Sequence, residues 1–182
     1  DDPLSTTEGE PAHPALYFVI HDTSDILCTR DGFPEDSDAP DATWNRAATW
    51  ESSKQAHLFL TRDGAAYSPQ GRTFSVPWRA TKFETAKNYG STLKGLFLHV
   101  ELIQPRRALK GYGSRNDFLA PSPGFSPAQY ESLALVYTVA SRRAGFWMIP
   151  AFHSVLDEGI RNKHDDPQNF ELAQFAQSLD AL

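Results

Sequence analysis

Two short apolar runs, rich in aromatic and β-branched residues, each end in a histidine. Residues 16–20 (LYFVI) precede His21, and residues 146–152 (FWMIPAF) precede His153. Runs of this length and composition are typical of buried strands. The pattern predicts two strands that each hold a histidine at one end. A single histidine in such a place is more often a hydrogen-bonded structural group than a ligand, so the pattern alone assigns no function.

A third predicted strand, residues 96–103, carries a histidine and a glutamate on one side. Successive side chains of a strand point to opposite faces. His99 and Glu101 therefore share a face with Phe97 and Ile103, while the leucines and the valine between them share the other. This strand is expected to direct two titratable side chains the same way.

The apolar pattern also predicts a hairpin. Residues 57–61 and 65–67 are separated by Asp63-Gly64, a pair that supplies the positive φ needed in tight hairpin turns.

Two helices complete the predicted elements. The longer one has Ser126 as N-cap, Gln129 placed for a capping box, and Gly145 at its C-terminal stop. A shorter closing helix spans residues 170–179. Because strands and helices are mixed, we predict an α/β fold in one domain, with a central mixed β-sheet flanked by helices.

Charge and composition narrow the class of protein. The net charge of -6 argues against a general nucleic-acid binder, and no apolar run reaches the roughly 18 residues of a membrane span.

Seven acids lie between residues 22 and 41, which predicts an exposed acidic loop over residues 22–53. Within it, Trp44 and Trp50 fit either a groove lining or a packed lid. Cys28 is the only cysteine, so no intramolecular disulfide can form.

The N-terminal segment differs in composition from the rest. Residues 1–14 carry three prolines and no hydrophobic period, so we expect an arm there and a folded domain over residues 15–182. The chain starts with neither Met nor an apolar signal segment, and we expect a processed or trimmed form.

Carboxylates downstream of His153 suggest a metal site. His164-Asp165-Asp166-Pro167 follows that histidine, and catalytic zinc commonly takes three His or carboxylate ligands plus water. Taken alone, this set is suggestive and unspecific.

The order of these motifs resembles the N-acetylmuramoyl-L-alanine amidase type 2 family, which includes phage lysozyme-like amidases and peptidoglycan recognition proteins. The similarity covers residues 15–179. Its motifs are residues 17–24 (YFVIHDTS), 55–67 (QAHLFLTRDGAAY), 95–103 (GLFLHVELI), 125–145 (FSPAQYESLALVYTVASRRAG), and 152–154 (FHS) with Asp166-Pro167 and Phe170.

The resemblance implies a zinc hydrolase that cleaves the amide between N-acetylmuramic acid and L-alanine. It implies zinc bound by His21, His153 and Asp166, with Glu101 as the general base. His164 stands where the family often has a lysine that stabilises the oxyanion. The implied partner is peptidoglycan or a muropeptide, in the periplasm or outside the cell, which includes a bacteriolytic role; the sequence indicates no oligomeric state.

Several alternatives stay open at this point. The connection from His153 to the Asp-Pro pair is longer than the usual pattern, so Asp165 could replace Asp166 as third ligand. The chain could also be a non-catalytic peptidoglycan-binding module, or a zinc hydrolase acting on another amide of the stem peptide. His57 and His99 fit hydrogen-bonding neighbours of the ligands better than ligands.

Overall fold

The structure is a computed structural model, which describes residues 15–24, 26–28, 32–33, 37–39, 41–53, 55–69, 80–85, 95–108 and 118–182. The predicted N-terminal arm, residues 1–14, lies outside the described residues. The strands are β1 (Tyr17–Asp22), β2 (Ile26–Cys28), β3 (Leu58–Leu60), β4 (Ala66–Tyr67), β5 (Phe97–Leu102), β6 (Arg106–Ala108), β7 (Phe118–Leu119) and β8 (Ile149–Phe152). The helices are α1 (Ala47–Trp50), α2 (Lys82–Thr85), α3 (Pro127–Ala144), α4 (His153–Leu156) and α5 (Leu172–Asp180), with a 3-10 turn at Thr43–Asn45.

A five-stranded mixed sheet organises the fold, in the order β4-β3-β5-β1-β8. The pairs β3–β5, β5–β1 and β1–β8 are parallel, and β4 runs antiparallel to β3 as the predicted hairpin. Gly64 in the hairpin turn has a φ of 85°. A smaller sheet, β2-β6-β7, was not predicted from the sequence. The expected α/β class with a central mixed sheet flanked by helices is confirmed.

The two faces of the sheet carry different chemistry because the strands alternate. One face contributes buried aliphatic side chains to a core shared with α3 and α5, and its members include Ile20, Leu60, Val100, Leu133 and Phe175. The opposite face of β5 carries His99 and Glu101, as the alternation predicted, and both are buried. The helices therefore shield the back of the sheet and leave the polar side chains on its front.

The long helix begins and ends as predicted. The Ser126 hydroxyl accepts a hydrogen bond from the Gln129 backbone, and the Gln129 side chain accepts one in return from the Ser126 N–H. Gly145 closes the helix in the left-handed region, with φ of 80°. These two end signals fix where α3 begins and ends.

The last strand is shorter than predicted. Only Ile149–Phe152 pairs with β1, whereas residues 146–148 connect it to the end of α3. The Met148 N–H donates a hydrogen bond to the Ser141 hydroxyl of α3, at 3.2 Å, and not to a neighbouring strand. Among the described residues, none of the helices is long and apolar enough to cross a membrane.

Both tryptophans of the predicted acidic loop pack against the main body of the fold. Trp50 is buried and stacks on Phe59 with ring centroids 5.4 Å apart, in a small cluster with Ala56 and Ile103 against which Trp44 also packs. Of the two expectations for these residues, the described part of the loop therefore favours the packed lid.

Candidate metal centre

Three neighbouring parallel strands end at the same edge of the sheet and bring distant side chains together. In the β1–β5 register His21 lies opposite Glu101. In the β1–β8 register Ile20 lies opposite Phe152, so His153 follows directly beside His21. Ligand sites in α/β sheets commonly lie at the carboxyl ends of parallel strands. The strand order alone places His153, His21 and Glu101 in one row.

The segment after α4 adds a carboxylate to this row. Asp166 is buried, and its Oδ2 lies 3.0 Å from His153 Nδ1 and 3.3 Å from His21 Nδ1. The two Nδ1 atoms are themselves 3.0 Å apart. Three donor atoms thus converge on one point from three separate segments.

The size of this triangle fits a metal ion. Tetrahedral zinc with bonds of about 2.0–2.1 Å holds its ligand atoms about 3.3 Å apart. The three observed separations, 3.0, 3.0 and 3.3 Å, are close to that value. Buried His21, His153 and Asp166 could therefore hold a metal ion.

Burial and neighbouring charges set the protonation of the three groups. Burial, reinforced by the positive charge of His153, lowers the pKa of His21 to about 3, which keeps its ring neutral at pH 7. Burial also opposes the charged form of His153, but hydrogen bonds to Asp157 and Asp166 raise its pKa to about 9. Despite burial, the two histidines hold the pKa of Asp166 below its usual range. The metal-free site therefore carries a proton on His153 and an ionised Asp166.

Zinc binding at these atoms should release about one proton per ion at pH 7, because His153 must lose the Nδ1 proton before that nitrogen can bind metal. The free His153 is protonated below about pH 9. Apparent zinc affinity should therefore rise about tenfold per pH unit between pH 6 and 8 and level off above about 9. Calorimetry in buffers with different ionisation enthalpies measures the released proton. A binding enthalpy that is independent of the buffer would contradict this assignment.

Asp157 forms a hydrogen bond with Nε2 of His153, the ring nitrogen that faces away from His21 and Asp166. His153 Nε2 and Asp157 Oδ2 are 3.0 Å apart, and the same oxygen lies 3.1 Å from His164 Nδ1. The Phe83 N–H donates to the other carboxylate oxygen at 2.9 Å. Although burial acts in the opposite direction, hydrogen bonds from the two histidines lower the pKa of Asp157. An ionised Asp157 accepts a hydrogen bond from the Nε2–H of His153, which leaves Nδ1 to face His21 and Asp166.

His21 is positioned by a different pair of residues, His99 and Glu84. Its Nε2 lies 3.0 Å from His99 Nδ1, and His99 Nε2 lies 3.3 Å from Glu84 Oε1. His99 and Glu84 are fully buried. The expectation that His99 neighbours a ligand agrees with this contact. His57 is one step further out, since its ring stacks on His99 with centroids 5.6 Å apart.

The two candidates for the third ligand point to different partners. Asp166 lies in the donor triangle, whereas Asp165 Oδ1 accepts a hydrogen bond from Arg106 at 2.8 Å. Arg106 is completely buried and also donates to Asp22 at 2.6 Å. This pairing connects the end of β1 to the segment that carries Asp166. Of these two aspartates, it is Asp166 whose carboxylate lies in the group with His21 and His153 that could hold a metal ion.

A cavity of about 250 Å³ opens onto the donor triangle. Glu101 and His164 line it together with the three donor residues. Glu101 is 4% exposed, and the rings of His164 and His153 are 4.4 Å apart, between centroids. All five residues that the sequence suggested for the site thus border one cavity, and their individual roles stay predictions.

Three residues of this region were not found from the sequence. Asp157 carries a weak signal, since it lies four residues after His153, a spacing that brings two side chains together on a helical turn. Glu84 and Arg106 show none, because nothing in their local sequence distinguishes a buried charge from a surface one. Only the fold shows that both are 0% exposed.

Comparison with known proteins adds little to this geometry. No protein-family model matches the sequence, and no curated protein sequence matches it either. Among solved structures, a crystal structure of a selenomethionine AmpD derivative aligns with a TM-score of 0.44 and 14% identity, covering 91% of this chain and 84% of that chain. So weak a likeness carries no information about chemistry.

Proposed function

We propose that this chain is a zinc-dependent amidase that hydrolyses the bond between N-acetylmuramic acid and L-alanine in peptidoglycan or its fragments. One observation carries the proposal. His21, His153 and Asp166 converge on a single metal-sized position, in the same order along the chain as the motifs that resemble the type 2 amidases. That resemblance supplies the substrate, and the geometry supplies the reason to expect metal-assisted hydrolysis.

The metal would be held by two neutral imidazoles and one carboxylate, which leave a divalent ion with a net positive charge. Zinc bound there would supply Lewis acidity, which polarises a substrate carbonyl and makes water acidic enough to be a nucleophile near neutral pH. The cavity beside the three ligand atoms would give a substrate carbonyl access to the metal.

Glu101 is proposed as the general base and acid. It is the β5 partner of His21 in the sheet, so their backbones are about 4.8 Å apart and both side chains occupy the same face. Its carboxylate would take a proton from the attacking water and pass it to the nitrogen of the departing alanine. Without that transfer an amine is a poor leaving group.

His164 is proposed to stabilise negative charge on the substrate oxygen. Its Nδ1 is engaged by the ionised Asp157, so the donor to the substrate oxygen would be the Nε2–H of a protonated ring. The side chain remains 30% exposed at the cavity. A hydrogen-bond donor that is held in place before the reaction stabilises the transition state more than a mobile one does. Asp157 would thus position one metal ligand and one oxyanion donor at the same time.

The protein should bind one zinc ion per chain, and a chelator should abolish hydrolysis that added zinc restores, because the three donor atoms leave room for a water or a substrate. Elemental analysis of the purified protein measures the metal. Mass analysis of a digested muropeptide identifies the bond. A stem peptide that starts at L-alanine, released from an intact saccharide, is the expected product.

The same digest separates the proposal from the other functions considered. Cleavage within the stem peptide would indicate a different zinc hydrolase. Binding of the muropeptide with no product, in zinc-loaded protein, would indicate a recognition module. Full hydrolysis by protein that lacks stoichiometric metal would contradict the metal centre itself. We propose the periplasm or the exterior of the cell as the place of action, where polymeric peptidoglycan is accessible.

A further inference from the structure

We propose that Glu84 and His99 form a relay that positions His21 for metal binding by fixing which of its two ring nitrogens carries the proton. The inference rests on the metal-binding part of the proposed function and does not depend on which amide is cleaved. Neither residue borders the cavity, so both would act through His21.

The relay is a continuous line of hydrogen bonds behind the metal position. His21 Nε2 and His99 Nδ1 are 3.0 Å apart, and His99 Nε2 reaches the Glu84 carboxylate at 3.2–3.3 Å. All three side chains are buried, with at most 2% exposed. In each of these contacts a ring nitrogen is either a donor or an acceptor toward its neighbour.

Glu84 determines which atom donates and which accepts in each of these hydrogen bonds. Its Oε2 receives three hydrogen bonds, from the Thr81 hydroxyl at 2.8 Å, the Thr81 N–H at 3.0 Å and the Ala80 N–H at 3.2 Å. Three donors on one oxygen favour an ionised carboxylate, which can only accept. His99 must therefore present a protonated Nε2 to Glu84.

The tautomer of His99 in turn determines the tautomer of His21. A neutral His99 with its proton on Nε2 has a lone pair on Nδ1, which accepts a hydrogen bond from the Nε2–H of His21. His21 then has its own lone pair on Nδ1, the atom that faces His153 and Asp166. Glu84 thus selects, through His99, the tautomer of His21 that can bind a metal ion.

The His99 ring is held in this orientation from two sides. It lies nearly parallel to His57, with an interplanar angle of 6°, and to Phe97, at 18°. Its backbone N–H donates to His57 Nδ1 at 3.0 Å. The stack fixes the plane of the ring, and the contacts with His21 and Glu84 fix which edge carries the nitrogens.

The Glu84→Gln variant tests the relay. The three donors at Oε2 keep the amide oxygen there, which turns the new NH₂ group toward His99 Nε2. His99 Nε2 is 3.3 Å from the Oε1 position that the NH₂ group takes and 3.2 Å from the retained oxygen, and two N–H groups facing each other repel. The NH₂ group therefore favours a His99 that accepts at Nε2 and carries its proton on Nδ1, and with it a His21 whose proton is on the metal-facing Nδ1. We expect zinc affinity to fall about 10–100-fold, measured by competition with a chromophoric chelator. In metal-free protein, ¹⁵N shifts of the ring nitrogens should show the exchanged tautomers of His21 and His99.

The exposed Glu131 of α3 provides the matched control, since Glu131→Gln makes the same chemical change and should leave zinc affinity unaltered. His99→Leu is a second variant that removes the acceptor and should weaken binding as much as Glu84→Gln. His99→Asn returns an amide oxygen near the position of Nδ1 and should recover part of the loss. Thermal unfolding of each metal-free variant confirms that the fold persists.

The outcomes separate this inference from the proposed function. Wild-type zinc affinity in folded Glu84→Gln, or unchanged ring tautomers, would overturn the relay and leave the metal centre intact. Weakened zinc binding with exchanged tautomers supports the relay even if the muropeptide is not cleaved, which would count against the amidase proposal alone.

Discussion

Replacing Asp166 with alanine should remove zinc and hydrolysis together. The substitution deletes the only anionic atom of the donor triangle and leaves two imidazoles 3.0 Å apart. Changes to residues behind a metal ligand already cost about 10–100-fold in affinity, so loss of a ligand should cost more than about 100-fold. Zinc content after dialysis and turnover of a muropeptide are the two measurements. Asp166→Asn, which keeps the shape without the charge, should also lose most of the metal.

Asp165→Ala is the natural comparison because it changes the neighbouring carboxylate. That side chain pairs with Arg106, which keeps its second partner Asp22. We expect a loss of about 1–2 kcal/mol in folding stability with the zinc retained. If Asp165→Ala strips the metal and Asp166→Ala does not, the third ligand has been assigned one residue too late.

Replacing Glu101 with glutamine should reduce turnover by about 10²-fold or more while one zinc ion per chain remains bound. The amide keeps the volume of this buried side chain but cannot accept a proton from water. The reduction should appear in kcat, because the proton moves in the reaction and not in substrate binding. Steady-state kinetics on the wild type and the variant, both with measured zinc content, test this.

The control for this variant is again Glu131→Gln, which should turn over at the wild-type rate. Near-normal turnover of Glu101→Gln would assign proton transfer to another group at the cavity. Loss of zinc from the variant would instead indicate that Glu101 binds the metal.

Much of the fold could be predicted because its signals are local. The alternation around His99 and Glu101, the Ser126 and Gln129 capping pair and the Asp-Gly turn each depend on residues within a few positions of one another. The start of β8 could not be predicted, because Met148 is apolar enough for a strand. Its N–H bonds to a serine of α3, and that interaction depends on how the helix packs.

The residues of the candidate site also fall into those that local sequence patterns suggested and those that only tertiary contacts reveal. His21, His153 and Glu101 could be suggested from the ends and alternation of strands, and Asp166 from a motif order. The residues behind them could not, because Glu84 reaches His99 across a gap of fifteen residues and Arg106 joins two carboxylates on either side of it in the chain. Whether a charged residue is buried depends on tertiary contacts that no sequence period encodes.

The two metal-facing nitrogens are 132 residues apart in the chain, and this separation has a thermodynamic consequence. An unfolded chain does not hold His21, His153 and Asp166 together, so an ion that binds all three binds the native state alone. Such a ligand stabilises the fold by about 2.7 kcal/mol at a free concentration one hundred times its Kd. The supply of metal would then decide how many molecules stay folded and escape proteolysis, as well as how many are able to react.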